Sequence, residues 1–194
     1  KPLIEYVTDE YIKKQFLGRD IDDKQFRKIT ARMVLTHSTG FPNWRGRNPL
    51  NINFAPGEKF SYSGEGFLYL GKAVAEISGM SLEEYAKREI FEPLGMMRTS
   101  YVWNDFYAAN GATGHDRHGF AGQQRKVTRP NGGASLLTTA MDYAVFLCAI
   151  MNDEILKTET IEMMLTPHVR ATEWENKKEE DPHVSWGFGW GIQT

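Results

Sequence analysis

Phe54-Ala55-Pro56-Gly57-Glu58-Lys59-Phe60-Ser61-Tyr62-Ser63-Gly64-Glu65-Gly66-Phe67-Leu68-Tyr69-Leu70-Gly71 is the stretch around which the rest of the chain is read. The Pro56-Gly57 pair punctuates the chain as a turn before a new element. A short aromatic run, Phe60 to Tyr62, leads to Ser63, which suits the N-cap of a helix. Apolar Phe67, Leu70, Val74 and Ile77 then recur at helical spacing, and the helix is expected to run to Ser78 with Gly79 as its stop. This places Tyr62 at a helix N-terminus, where the dipole and free amides favour an anion. A phenol ionises near 10 and is ordinarily a poor base. Neighbouring cations and the dipole can lower that value until the phenol accepts a proton from a nucleophile. Taken alone, Tyr-Ser-Gly reads equally as an ordinary half-buried aromatic, and its neighbours along the chain decide between the two.

The composition sets the frame. A chain of 194 residues holds one domain or a large part of one, and 41% hydrophobic with 25% charged residues is ordinary for a soluble globular protein. A net charge of -2 without a basic stripe argues against a nucleic-acid partner. Lys177-Lys178 is answered at once by Glu179-Glu180-Asp181, which reads as a solvated loop. The single cysteine, Cys148, excludes an internal disulfide, and its apolar surroundings (Val145, Phe146, Leu147, Ile150) predict a small core residue. No apolar run approaches the roughly 20 residues of a transmembrane helix. The chain opens at Lys1-Pro2-Leu3 with no signal peptide, as an internal stretch would, so the compartment is not legible.

In chain order, Thr8 suits the cap of a short helix. Gly18 to Asp23 reads as a surface loop, and Thr30 as the cap of a helix over 29–37. That helix runs into His37-Ser38-Thr39-Gly40-Phe41-Pro42, either a simple helix-ending loop or one wall of a cleft. Arg45 to Asn53 is polar loop. Ser81-Leu82-Glu83-Glu84 is a capping box for a helix through Ile90, and Glu92-Pro93-Leu94-Gly95-Met96 turns the chain. Residues 97–134 read as a long ordered loop, a feature that is usually functional. Its His115-Asp116-Arg117-His118 lacks the third ligand or helical frame a metal site requires, so no metal is expected. Gly132-Gly133 reads as a tight turn or as backbone approaching a ligand. Thr139 with Asp142 opens a helix over 140–152, and Thr158 caps another over 159–165. Ser185 to Ile192, alternating bulky residues and glycine, suits one closely packed strand.

Several of these segments, in this order, resemble the serine β-lactamase and penicillin-binding-protein-like family, especially its class C and esterase branch. Ile29 to Gly40 is similar to the family's LLTHTSG segment with Ser and Thr exchanged. Phe54 to Gly71 resembles its PG-x-x-f-x-Y-S-N segment and following helix. Pro93-Leu94-Gly95-Met96 with Arg98-Thr99 is similar to PLGM-x-x-T, Gly132 to Asp142 to GG-l-x-S-T-a-x-D, and Trp186 to Trp190 to yGlGw. The resemblance implies an α+β, β-lactamase/transpeptidase-like fold, of which residues 1–194 would be the central part, mainly helical with few strands. It also implies acyl transfer by a serine of a Ser-x-x-Lys pair, assisted by the lysine and by a second-motif tyrosine that maps onto Tyr62. Ser63 and Gly64 would line the cleft. The substrate would be a small molecule or peptide carrying an ester, amide or β-lactam, with no cofactor and no metal, and the family's usual home is periplasmic or extracellular.

Two departures matter. No lysine here has a serine three residues earlier, and no Lys- or His-Thr/Ser-Gly third motif occurs. The resemblance places the first motif before Lys1 and the third beyond Thr194, so this stretch alone should not catalyse acyl transfer. Second, Gly64 stands where the family has the Asn of Tyr-x-Asn, which predicts a roomier site short of one polar contact, worth about 1 kcal/mol or more. That tilts the expectation from a true β-lactamase toward an esterase, an amidase or a peptidase of D-amino-acid peptides. A non-catalytic binding or sensor relative remains the alternative, and a helical domain with accidental motif matches is the third reading.

Overall fold

Four helix starts follow from side chains that satisfy the first free amides. The computed structural model describes residues 1–8, 10–11, 24–171 and 183–194. Thr30 Oγ1 accepts from Met33 N–H and opens α1 (Ala31–Leu35). Ser63 Oγ accepts from Gly66 N–H at 3.0 Å and opens α2 (Gly64–Ser78), which ends at Gly79 with φ 68°. Ser81 and Glu84 form the expected capping box of α3 (Leu82–Ala86). The chain continues from α3 as a π-turn over Lys87–Phe91 rather than as regular helix to Ile90. Thr139 Oγ1 accepts from Asp142 N–H and opens α4 (Ala140–Met151). Thr8 Oγ1 likewise accepts from Tyr11 N–H at 3.3 Å. The loop expected at Gly18 to Asp23 and the charged loop at Lys177 to Asp181 lie outside the described residues.

α5 (Thr158–Leu165) begins differently from expectation. Lys157 occupies the N-cap without a side-chain bond, and Thr158 lies inside the first turn, its hydroxyl donating to Asp153 Oδ2 at 2.7 Å. The terminal segment also differs from the single strand expected. β1 (Val169–Arg170), β2 (Val184–Trp186) and β3 (Gly191–Gln193) form an antiparallel sheet in the order β1-β2-β3. Ser185 pairs with Arg170 on one side and Ile192 on the other. Gly187 to Trp190 is the hairpin turn, closed by Gly187 N–H to Trp190 O at 2.8 Å, and Gly189 has φ 81°. Glycine at this position allows the left-handed backbone that lets the chain reverse.

The main core joins Leu3, Phe26, Ile29, Val34, Phe41, Leu50, Tyr69 and Ala73. Phe26 sits between Phe41 and Tyr69, with ring centroids at 5.9 and 5.2 Å. The apolar stripe expected on α2 is therefore displaced. Its buried residues are Gly64, Glu65, Gly66, Tyr69, Gly71 and Ala73, Phe67 and Leu70 pack at the margin, and Ile77 is 63% exposed. At Gly66 the helix lies close to its neighbour, since a Cβ there would lie 3.4 Å from Val34. Cys148 is exposed, not a core residue. α4 is mostly apolar; its neighbours bury Asp142, Ala149 and Ile150 and partly cover Phe146 and Leu147, with Phe146 stacked on Trp190. Met141, Tyr143, Val145 and Met151 share Cys148's outward position.

Two distant motifs are joined by one buried carboxylate. Asp142 Oδ2 accepts from Arg98 N–H and from the Thr99 hydroxyl, both at 2.8 Å, and Thr138 Oγ1 lies 2.8 Å from Thr99 Oγ1. Ser100 and Leu137 exchange backbone bonds beside it, at 2.9 and 2.8 Å. Hydrogen bonds to a charged acceptor are worth more than neutral ones, and removing the acceptor strands buried donors. Asp142→Ala is expected to cost about 3 kcal/mol and Thr138→Ala about 1 kcal/mol, read as shifts in the urea unfolding midpoint at constant slope; equal shifts for the two variants would contradict the ranking.

Candidate active site

The site grows from the loop that ends α1. His37 has φ 53°, a left-handed backbone that is uncommon outside glycine. That conformation aims its carbonyl at the Phe60–Ser63 segment, where it accepts from Ser61 N–H at 2.8 Å. Its ring turns the same way, and Nδ1 accepts from Ser63 N–H at 2.9 Å. The amides on both sides of Tyr62 are thus held by one residue. The imidazole also stacks on the Tyr62 ring, centroids 4.2 Å apart at 26°. Next along the loop, Gly40 has φ 80°, and a Cβ there would come within 2.5 Å of Phe54 O. Only glycine permits the two segments to run this close.

The sheet supplies the other side. Phe188 N–H donates to Met164 O and Gly189 N–H to Leu35 O, both at 2.9 Å, which seats the β2–β3 hairpin on α5 and α1. Trp186 thereby meets His37, Phe60 and Tyr62 with ring centroids at 5.1, 5.5 and 6.0 Å. Its contact with Tyr62 is edge-to-face, at 83°. Tyr62 is half-buried between His37 and Trp186. His37 itself is only 3% exposed. Burial among these rings pulls its ionisation down to about 4. The Ser63 N–H is aimed at Nδ1, and only an unprotonated nitrogen can accept it. At neutral pH His37 is therefore an uncharged acceptor, and not a base.

The start of α2 is not the free anion site that the helix dipole suggests. Gly64 N–H is taken by Asn43 O and Oδ1, Glu65 N–H by Asn43 O, and Gly66 N–H by Ser63 Oγ. Ser63 is 1% exposed, and its hydroxyl also donates to Pro42 O at 2.9 Å. It works as a helix cap and presents no group to a cleft. Gly64 is not roomy either. A Cβ built on it would fall inside the indole of Trp44, 2.7 Å from Cε2 and closer to Cζ2 and Cη2. The space that an Asn side chain would need is filled by an aromatic ring.

Tyr62, Ser63 and Gly64 are thus together, but in different roles. In the sequence His37 and Trp186 stand inside segments that resemble the family's, with no role at the site attached to either, and nothing singles out Trp44. The one sequence signal for Trp44 was the glycine it covers, which is unreadable without the fold. A separate cavity of about 930 Å³ follows the flank of α2, lined by Leu68, Lys72, Met80, Arg125, Arg129 and Gly132 among others. Tyr62 is not part of its wall. In the long loop, Asp116 Oδ1 accepts from His118 and Phe120 N–H groups, closing a turn. Among the described residues no helix is long and apolar enough to cross a membrane.

Comparison with known proteins adds the wider setting. The family model described as Beta-lactamase matches residues 2–194. A lovastatin esterase of Penicillium rubens is 27% identical over 187 residues, covering 77% of this chain and 47% of that protein. Penicillin-binding protein 4* of Bacillus subtilis is 22% identical over 208 residues, covering 87% and 44%. The structure of a penicillin-binding protein homologue from Pyrococcus abyssi superposes with a TM-score of 0.68 at 25% identity, covering 98% of this chain and 47% of that one. The chain spans about half the length of these relatives.

The His37 environment predicts a pH dependence. The unfolded imidazole takes up its proton near 6.5 and the folded one near 4, so between those values the unfolded state binds more protons. Stability falls as pH drops from about 6.5 to about 4, by on the order of 3 kcal/mol. Asparagine tolerates a left-handed backbone and has no proton to gain here. His37→Asn should therefore lower stability at pH 7 yet flatten the slope between pH 4 and 6.5 in urea unfolding. An unchanged slope would remove His37 as its source.

Proposed function

The chain belongs to the β-lactamase family, and from that premise we propose that it is the central part of a serine hydrolase in which Tyr62 is the general base. The observation that carries this reading is the clamp on Tyr62. One buried, uncharged histidine binds the amides on either side of it and stacks on its ring. A proton acceptor must be held within a fraction of an ångström of its target, and rigid seating of this kind is what general-base catalysis requires. The lovastatin esterase relative favours ester chemistry, and the penicillin-binding relative favours amide or β-lactam chemistry.

The reaction divides into two acyl transfers. A serine hydroxyl from a Ser-x-x-Lys pair, which this sequence does not contain, attacks the substrate carbonyl. Tyr62 Oη, acting with that lysine, takes the hydroxyl proton and returns it to the leaving group as the tetrahedral intermediate collapses. Water then attacks the acyl-enzyme while Tyr62 removes its proton, and Tyr62 passes that proton to the serine oxygen as the C–O bond to the acyl group breaks, which frees the acid and restores the serine hydroxyl. Neutral His37 fixes the phenol's position and contributes no charge.

In the full-length protein, Tyr62→Phe should lower kcat by about 10²- to 10⁴-fold, with the fold intact by circular dichroism; unchanged turnover removes Tyr62 from the mechanism. Labelling with a fluorophosphonate and a fluorescent penicillin tests the division of labour. The full-length protein should label and residues 1–194 should not. Labelling of the short chain would mean that it carries the nucleophile, and labelling of neither would favour a non-catalytic binding relative.

A further inference from the structure

The same site carries an inference about its substrate, and it rests on the hydrolase reading above. Trp44 is held from both sides at the start of α2. Before it, the Asn43 carbonyl and side chain accept from Gly64 and Glu65 N–H groups at 3.0 to 3.1 Å. After it, Arg45 N–H donates to Glu65 Oε1 at 3.2 Å, and Arg45 Nε lies 3.5 Å from Glu65 Oε2. With its backbone fixed on both flanks, the indole is laid over Gly64. Gly133 closes in from the other chain segment. A Cβ there would lie 3.1 Å from Trp44 Cη2 and 2.8 Å from Gly64 O. Glycine at both positions is what admits the ring. Trp44 is nevertheless 46% exposed, so part of its surface stays open to a ligand.

We infer that Trp44 is a specificity-determining residue: its indole takes the place of a side-chain amide two residues after Tyr62 and selects esters that carry an aromatic group. An amide recognises partners by hydrogen bonds, whereas an indole offers a large rigid face that prefers offset or edge-on aromatic neighbours. A substrate whose peptide or lactam amide expects a polar partner at this point finds an apolar slab. One with an aromatic ring finds a platform. A tenfold selectivity corresponds to about 1.4 kcal/mol, within what a stacked aromatic pair supplies beyond simple burial.

The experiment uses the full-length protein and three esters followed by pH-stat: ethyl butyrate, ethyl phenylacetate and benzyl butyrate. The last two place the ring on the acyl and leaving-group sides in turn. Trp44→Ala should lower the aromatic-to-aliphatic ratio of kcat/KM about tenfold for one of the two aromatic esters. Trp44→Phe should keep most of that ratio. Gly64→Ala should lower it as Trp44→Ala does, because the new methyl displaces the indole without removing it. A ratio unchanged in Trp44→Ala for both aromatic esters overturns the inference, and so does one that Gly64→Ala leaves intact. Tyr62→Phe in the same assay separates the two readings: turnover retained there overturns the base assignment while the Trp44 ratios remain readable. Failure of the unsubstituted protein to hydrolyse any of the three esters overturns the aromatic-ester inference, whereas the hydrolase reading falls only if the full-length protein also fails to label with the fluorophosphonate and the fluorescent penicillin.

Discussion

One buried hydrogen bond, from Ser63 N–H to His37 Nδ1, is the constraint on which the site depends. Its acceptor must be an unprotonated ring nitrogen, and its donor belongs to the residue that caps α2. If the bond fails, a buried amide is left without a partner at a cost of about 1–3 kcal/mol. The start of α2, the seating of Tyr62 and the turn after α1 would loosen together. His37 adopts a left-handed backbone to reach this arrangement, a conformation that costs a non-glycine residue about 1–3 kcal/mol. The two bonds it then makes to the Tyr62 segment and its packing among rings offset that cost.

Around this bond the site is assembled by close approach. Gly40 brings the post-α1 loop against Phe54, and Gly64 and Gly133 admit the Trp44 ring. The hairpin turn at Gly187 to Trp190 docks on α1 and α5 and carries Trp186 to the far side of Tyr62. A phenol held between two rings, with its flanking amides bonded, has few ways to move. Rigidity at Tyr62 thus comes from contacts made by segments far apart in the chain. Farther off, Asp142 plays a comparable joining role by tying the Pro93 to Thr99 segment to the start of α4.

The resemblance to the β-lactamase family was legible because its motifs are short and keep their order, and the family model covers nearly the whole chain. The caps Thr30, Ser63, Ser81 and Thr139 were legible for a local reason. Each acts within three residues of itself, so no knowledge of distant neighbours is needed. Thr158 shows the limit of that rule. It has the right chemistry for a cap, but Asp153 competes for its hydroxyl and the helix starts one residue earlier.

By itself the sequence determined the capped starts of four helices, which family the chain resembles, and that Tyr62 would stand at the entrance of α2. Those features depend on backbone amides and side chains that are neighbours in the chain. Only the tertiary structure decided which sides of the helices were covered, because burial depends on what packs against a face and not on its composition. Cys148 is exposed on an apolar helix for that reason, and Ile77 likewise. Tertiary structure also turned the glycine at position 64 from a gap into a contact with Trp44, and His37 from a loop residue into the clamp on Tyr62. In both cases the partners lie twenty or more residues apart, and only the folded chain brings them within contact distance.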